Sequence, residues 1–300
     1  MNNFDPEKRA WQESNRAALL ARLDFALNAA EDTLFTEEWS GHFVAVTKEE
    51  ETLRLWLIDQ NANDTDWVQS ILRLSDPLTL PMSYTQAMML ALIWQPQPER
   101  IFVTGLGGGG LATVLHHHLW QSRIDCVELS PPVVAAAIGC FGFAPDDRMT
   151  LTTGDALEAL KEARPRSYDI LFLDLFFDNG ETPEHLVTDD FFRLCQSRLR
   201  PGGLLTMNLG AKGPEFAQRL ETIGASFPTV YTCRGHGSTQ VVFASERPPI
   251  SSFALTQQAI AVQQAHNFTF PYVTWVSRLI QQRPDSERPD SERPAPESAQ

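Results

Sequence analysis

A short apolar run, Arg100-Ile-Phe-Val-Thr104, stops at Gly105-Leu-Gly-Gly-Gly-Gly110. After a helix-length gap, Ile124-Asp-Cys-Val-Glu128 repeats the apolar run and ends in an acid. That order reads as strand, tight loop, helix and second strand, a βαβ unit. Gly105, Gly107 and Gly110 satisfy G-x-G-x-x-G, a pattern in which the glycines serve a tight turn, close backbone approach to a ligand, and close helix–strand packing. Glu128 lies 23 residues beyond Gly105, near where an acid accepts hydrogen bonds from ribose hydroxyls. The unit predicts a nucleoside-bearing ligand; a purely structural turn is the plainer alternative.

From Arg100 onward the pattern is regular. Strand-like segments near 101–104, 124–128, 149–152, 169–174 and 203–208 are separated by helix-length intervals. Short apolar strands alternating with helices predict a mostly parallel sheet covered on both faces. Thr229-Val-Tyr-Thr-Cys233 and Gln240-Val-Val-Phe-Ala244 are joined by a link too short for a helical crossover, so they should be antiparallel neighbours. The expected fold is α/β: a Rossmann-like, seven-stranded, mostly parallel sheet with an antiparallel last strand.

Four units are expected along the chain. Residues 1–98 carry an N-terminal helix, a β-hairpin and a gate helix. The helix covers about 7–30; the hairpin pairs 41–47 with 52–59; the gate helix, Ser83–Trp94, takes Ser83 as its N-cap. Residues 99–248 form the nucleoside-binding domain and 249–282 two further helices. Residues 283–300, which repeat Arg-Pro-Asp-Ser-Glu, are too poor in apolar groups to offset their ordering entropy and are expected to be disordered.

Acids fall at the carboxyl ends of successive strands, the edge where open α/β sheets bind ligands. Asp155 could accept a hydrogen bond from an adenine amino group or cap a helix starting at Ala156. Asp174 ends Tyr168-Asp-Ile-Leu-Phe-Leu-Asp174, while Asp169, at the other end, reads as structural. Asp178 and Glu181 follow in a loop. Carboxylates grouped beside a glycine loop can hold a cation, and one with a raised pKa can act as general base. His116, His117 and His118 diverge by about 100° each on a helix and cannot converge on one ion; the exposed side of that helix is their expected place.

The formal charge of −14 disfavours nucleic acid or an anionic membrane as partner and is compatible with a cationic substrate. The four cysteines have no partnered spacing, so a reducing compartment is expected and zinc is not. With no leader-like or membrane-length apolar run, a cytoplasmic location is expected. Serine-hydrolase, zinc-protease and Walker-type phosphate motifs are absent.

In order, the hairpin, the Tyr84 helix, Gly105–Gly110, Val127-Glu128-Leu, Gly154-Asp155-Ala, Tyr168–Asp174 and Leu199-Arg-Pro-Gly-Gly-Leu204 resemble the spermidine synthase (polyamine aminopropyltransferase) family over roughly residues 40–245. The sheet domain also resembles the class I S-adenosylmethionine-dependent methyltransferases. The resemblance implies a glycine loop (Gly105, Gly107, Gly108, Gly110) embracing the methionine-derived part of decarboxylated S-adenosylmethionine. It implies Glu128 on the ribose, Asp155 on the adenine and Asp174 as the base that deprotonates an attacking amine. Tyr84, Asp178 and Glu181 would hold that amine. No metal is implied; a homodimer is, by resemblance alone. Three departures stand out. Gly108 replaces the family's aspartate that contacts the donor amino group, Tyr84-Thr-Gln86 replaces Tyr-His-Glu, and Asp174-Leu-Phe-Phe-Asp178 lengthens and greases the Asp-Ser-Ser/Thr-Asp loop. The implied function is aminopropyl transfer to an amine. The alternatives are methyl transfer from S-adenosylmethionine to a small acceptor, or a nucleoside-binding interaction module without catalysis.

Overall fold

The computed structural model describes residues 5–59, 67–175, 182–210, 213–235 and 240–282. Asp178, Glu181, Phe176, Phe177, His236 and the 283–300 tail lie outside the described residues. The chain opens with helices α1 (Pro6–Arg22) and α2 (Asp24–Asn28), then strands β1 (Asp32–Trp39), β2 (His42–Glu49), β3 (Thr52–Asp59) and β4 (Trp67–Arg73), then α3 (Ser83–Met88). The alternating half continues as β5 (Arg100–Thr104), α4 (Gly110–His118), β6 (Arg123–Glu128), α5 (Pro131–Gly139), β7 (Met149–Thr153), α6 (Ala156–Glu162), β8 (Tyr168–Asp174), α7 (Asp189–Arg198), β9 (Leu199–Leu209) and α8 (Gly213–Ser226). It closes with β10 (Thr229–Arg234), β11 (Gln240–Ser245), α9 (Ser252–His266), α10 (Tyr272–Trp275) and β12 (Leu279–Gln282).

The large sheet runs β12-β10-β11-β9-β8-β5-β6-β7. β9, β8, β5, β6 and β7 are parallel, and β11 lies antiparallel between β9 and β10. Alternation along the strands divides the apolar residues between two cores. Val103 and Phe172 join α4, α5 and α9 on one face; Phe102, Leu171 and Leu173 join α6, α7 and α8 on the other. β5 has β6 on one side and β8 on the other, so the strand order reverses there. A crevice at such a point, outside the carboxyl ends of the strands, is where a sheet of this type receives ligands.

Four expectations need correction. The sheet has eight strands rather than seven, because Leu279–Gln282 at the end of the expected C-terminal helices pairs with β10. The hairpin is the middle of a four-stranded antiparallel sheet, β1-β2-β3-β4. Its outer strands carry acids and polar residues among their apolar ones, which blurs the period-two signal. The gate helix is capped at Met82 without a side-chain hydrogen bond, so Ser83 is its first helical residue and not its cap; beyond Met88 it tightens into a 3₁₀ turn, Met89–Ile93. Finally, the histidine run is buried, at 4%, 7% and 8% exposure, because α1 and the chain after α9 cover α4. Asn15 reaches His117, Asp146 pairs with His116, and His118 packs edge-on against Phe268.

Candidate active site

The end of β5 abuts the end of β8, so that a Cβ on Gly105 would lie 1.7 Å from the carbonyl oxygen of Asp174. With φ at +73° as well, only glycine fits. A side chain at Gly108 would meet the Phe141 ring at 2.6 Å, and one at Gly109 the Phe143 ring at 2.6 Å. At Gly110 the nearest contact is Leu80 at 3.9 Å. The close packing expected of Gly110 therefore falls to Gly108 and Gly109, and Gly110 faces the cavity. Phe141 is 2% exposed and cannot easily give way. The ring that underlies Gly108 thus excludes the aspartate that the synthase pattern places there.

Glu128 turns back on the loop. Its carboxylate accepts from the amide of Leu106 at 2.7 Å and that of Ser130 at 2.9 Å, with Gly107 and Leu129 as further donors. Burial raises its pKa against those donors. Asp155 holds the N-cap of α6, accepting from Glu158 at 3.0 Å, and also borders the cavity. Asp169 is structural: it accepts from the amides of Glu99 and Arg100 and pairs with Arg200.

Asp174 sits at the carboxyl end of β8, opposite Asn208 in the register of β9. The Asn208 amide donates to it at 3.0 Å, and the Tyr84 hydroxyl donates from α3. Burial pushes its pKa up to about 6; the two donors pull it down, and the charge of Glu128 adds to the rise. Burial and the adjacent Asp174 hold the Tyr84 hydroxyl well above the ordinary tyrosine range, which keeps it a proton donor.

These residues share one cavity of about 640 Å³, floored by the glycine loop and roofed by the small sheet. Glu128, Asp155, Asp174 and Glu215 line it; no lysine or arginine does, among the described residues. The roof contributes Trp39 and Trp56, and Ser70 Oγ of β4 accepts from the Gly108 amide at 2.8 Å. The structure brings together Tyr84, Gly105, Gly107, Gly108, Gly110, Glu128, Asp155 and Asp174 around this space. Sequence reasoning missed Ser70, Phe141, Asn208, His185 and Glu215. Asn208 had a signal, because it ends a parallel strand on the ligand-binding edge just as Asp174 does. Ser70 and Phe141 had none, since their places depend on how separate segments pack.

Among the described residues, no group of three or more metal-ligating side chains converges and no helix is long and apolar enough to cross a membrane.

The parallel sheet with an inserted antiparallel strand, together with a glycine loop at the strand-order reversal, defines the methyltransferase-like class of α/β folds. Human methyltransferase-like protein 13, solved in complex with SAH, superposes with a TM-score of 0.58 at 28% identity over 62% of this chain and 92% of that one. A probable spermidine synthase from Corynebacterium glutamicum shares the fold, with a TM-score of 0.64 at 20% identity over 78% of this chain and 88% of that one. Residues 82–223 match the spermine/spermidine synthase domain. The polyamine aminopropyltransferase of Vibrio vulnificus is 31% identical over 61% of this chain and 62% of its own length. The human eEF1A lysine and N-terminal methyltransferase is 30% identical over 59% of this chain and only 27% of its own length. The chain is thus similar to spermidine synthase-like proteins over its central residues and to methyltransferases over the same sheet domain.

Proposed function

We propose that the protein is a transferase that moves an alkyl group from an adenosyl-sulfonium donor to an amine, with Asp174 as the base. The observation that carries this reading is the setting of Asp174. It is a desolvated carboxylate held by Tyr84 and Asn208 against the glycine loop, in a cavity without a lining cation among the described residues. A sulfonium and an ammonium are both positive, and such a cavity favours both. In the proposed reaction Asp174 takes a proton from the acceptor ammonium and exposes its lone pair. The nitrogen attacks the carbon bonded to the sulfonium; the N–C bond forms as the C–S bond breaks, and a neutral thioether nucleoside leaves. Glu128 and Asp155 are assigned to the ribose and the adenine. For Glu128 this requires that ribose hydroxyls join or replace the backbone donors it now holds.

The polyamine aminopropyltransferases among the relatives support aminopropyl as the group moved. One observation favours methyl instead: Phe141 closes the place where a carboxylate at position 108 would grip the amino group of a decarboxylated donor. The test is to supply decarboxylated S-adenosylmethionine or S-adenosylmethionine in turn, with a panel of amines. Release of methylthioadenosine from the first supports aminopropyl transfer, and release of S-adenosylhomocysteine from the second supports methyl transfer. Failure to bind either donor would overturn the reading.

A further inference from the structure

Each of the cavity's described carboxylates has partners, and the partners differ in kind. Glu128 is spent on loop amides, Asp155 on the α6 N-terminus, and Glu215 on Arg219, which also donates to the Gly210 carbonyl. Asp174 is held by the side chains of Asn208 and Tyr84 and is the carboxylate that the proposed function leaves to the amine, since Glu128 and Asp155 are assigned to the donor. The wall presented by the small sheet and the α3 approach is of another kind: Trp39, Trp56, Leu57, Pro81 and Met82. The Trp56 indole N–H is already satisfied by Thr47 Oγ1 at 2.8 Å, so its ring offers apolar and π surface but no donor to a ligand. A second ammonium along this wall would lose its hydration, because none of the wall's described residues is a carboxylate, whereas an aryl or alkyl body would gain burial and stacking.

We infer that the acceptor is a primary monoamine with an apolar, aromatic body, an arylalkylamine, and not a linear diamine. Its ammonium meets Asp174 and its body lies along Trp39 and Trp56. This rests on the reading of Asp174 as the amine's partner and specifies the substrate class of that same site.

Calorimetry on the full-length protein at pH 8, with and without methylthioadenosine, tests it using phenethylamine, hexylamine and putrescine. Phenethylamine should bind at least tenfold tighter than putrescine, with hexylamine between them. Trp56→Ala should weaken phenethylamine about tenfold while leaving putrescine and methylthioadenosine within twofold, and Asp174→Asn should weaken all three amines. Trp39→Ala, at a half-buried position, gives the same readout should Trp56→Ala fail to fold. Putrescine binding as tightly as phenethylamine, or no amine binding to a protein that holds methylthioadenosine, would overturn the inference. Loss of methylthioadenosine binding with phenethylamine still preferred would instead sink the donor reading and keep the acceptor class.

Discussion

On the large sheet's side of the cavity, the glycine loop presents backbone, and Glu128 and Asp155 beside it are bound to backbone amides. The glycine loop is fixed by the Asp174 carbonyl beneath Gly105, by Glu128 on the amides of Leu106 and Ser130, and by Phe141 and Phe143 behind Gly108 and Gly109. On the small sheet's side the wall is side chain: Trp39, Trp56, Leu57 and Met82, with Ser70 as one polar stitch to the loop. A wall of backbone can change little without changing the fold, which suits it to the nucleoside of the proposed donor. A wall of side chains can be repainted residue by residue, which is how one fold serves different acceptors. Asp174 stands at the seam, its carbonyl supporting one wall and its carboxylate facing the other.

The largest expected effect comes from cutting at that seam. Asp174→Asn keeps the backbone carbonyl under Gly105 and the volume of the side chain but removes the base. Turnover should fall by about a thousandfold or more while donor affinity stays within about threefold. In the native protein kcat/KM should rise with pH through a limb near 6, where Asp174 ionises; the variant should lack that limb. The sign for stability is opposite. A folded pKa raised above 3.8 means that stability falls as pH rises through about 6, so Asp174→Asn should melt higher than the native protein at pH 8. Unchanged turnover would refute Asp174 as the base.

Next in size is an attack on the backbone wall alone. Gly105→Ala places a Cβ 1.7 Å from a carbonyl oxygen at a positive φ. Relief requires β5 and β8 to separate, at a cost of about 3 kcal/mol or more. Denaturant unfolding should show that loss, and any folded fraction should fail to bind donor. By contrast Trp39→Ala, on the other wall, should leave donor affinity nearly unchanged. Equal losses of donor affinity from both substitutions would erase the distinction between the walls.

This division also explains what could be read from the chain. Alternating apolar runs located every strand of the parallel core, and Gly105, Glu128, Asp155 and Asp174 were legible because the ends of parallel strands have a fixed geometrical meaning. Contacts between distant segments were not. Position 108 packs on residue 141, Ser70 reaches the loop from 38 residues away, and β12 joins the sheet after two helices, none of which leaves a periodic signal. The histidines misled for a related reason. Polarity predicted exposure, but α1 and the chain after α9 bury them, and burial holds them neutral.

Those histidines allow the backbone wall to be loosened from behind. Leu19 of α1 and Leu23 just after it pack on Gly142, between the two phenylalanines that back the loop, and Arg22 donates to the Gly142 carbonyl at 2.7 Å. α1 is also held through Lys8 to Ala265 and Asn15 to His117. Burial, with Arg16 and Lys8 nearby, lowers His117 to about 4. Burial and Lys8 also lower His266 to about 4. His118 is depressed by burial and its histidine neighbours, and His116 by burial and Arg148, against the pull of Asp146. Each folded pKa lies below the unfolded 6.5, so the unfolded chain binds more protons between about 4 and 6.5. Stability should therefore be full above 6.5 and decline as pH falls toward 4, by on the order of 1–3 kcal/mol each for His117 and His266. His117→Gln should flatten part of that slope in urea titrations run from pH 7.5 to 4.5. A slope identical to that of the native protein would show that His117 is not one of its sources.

The smallest effect decides whether the two walls are energetically joined. Ser70 Oγ is the described polar contact from the small sheet to the glycine loop, and it satisfies the Gly108 amide. Ser70→Ala leaves that amide to find water or a ligand atom, at a cost of about 1 kcal/mol. If the small sheet braces the loop, donor affinity should weaken about three- to fivefold, with arylalkylamine affinity unchanged, and adding Trp56→Ala should leave the Ser70 effect intact because the two act on different ligands. Donor affinity equal to the native value would mean that the loop holds its shape from the large sheet's side alone. The small sheet would then be a roof that selects acceptors and contributes nothing to holding the donor.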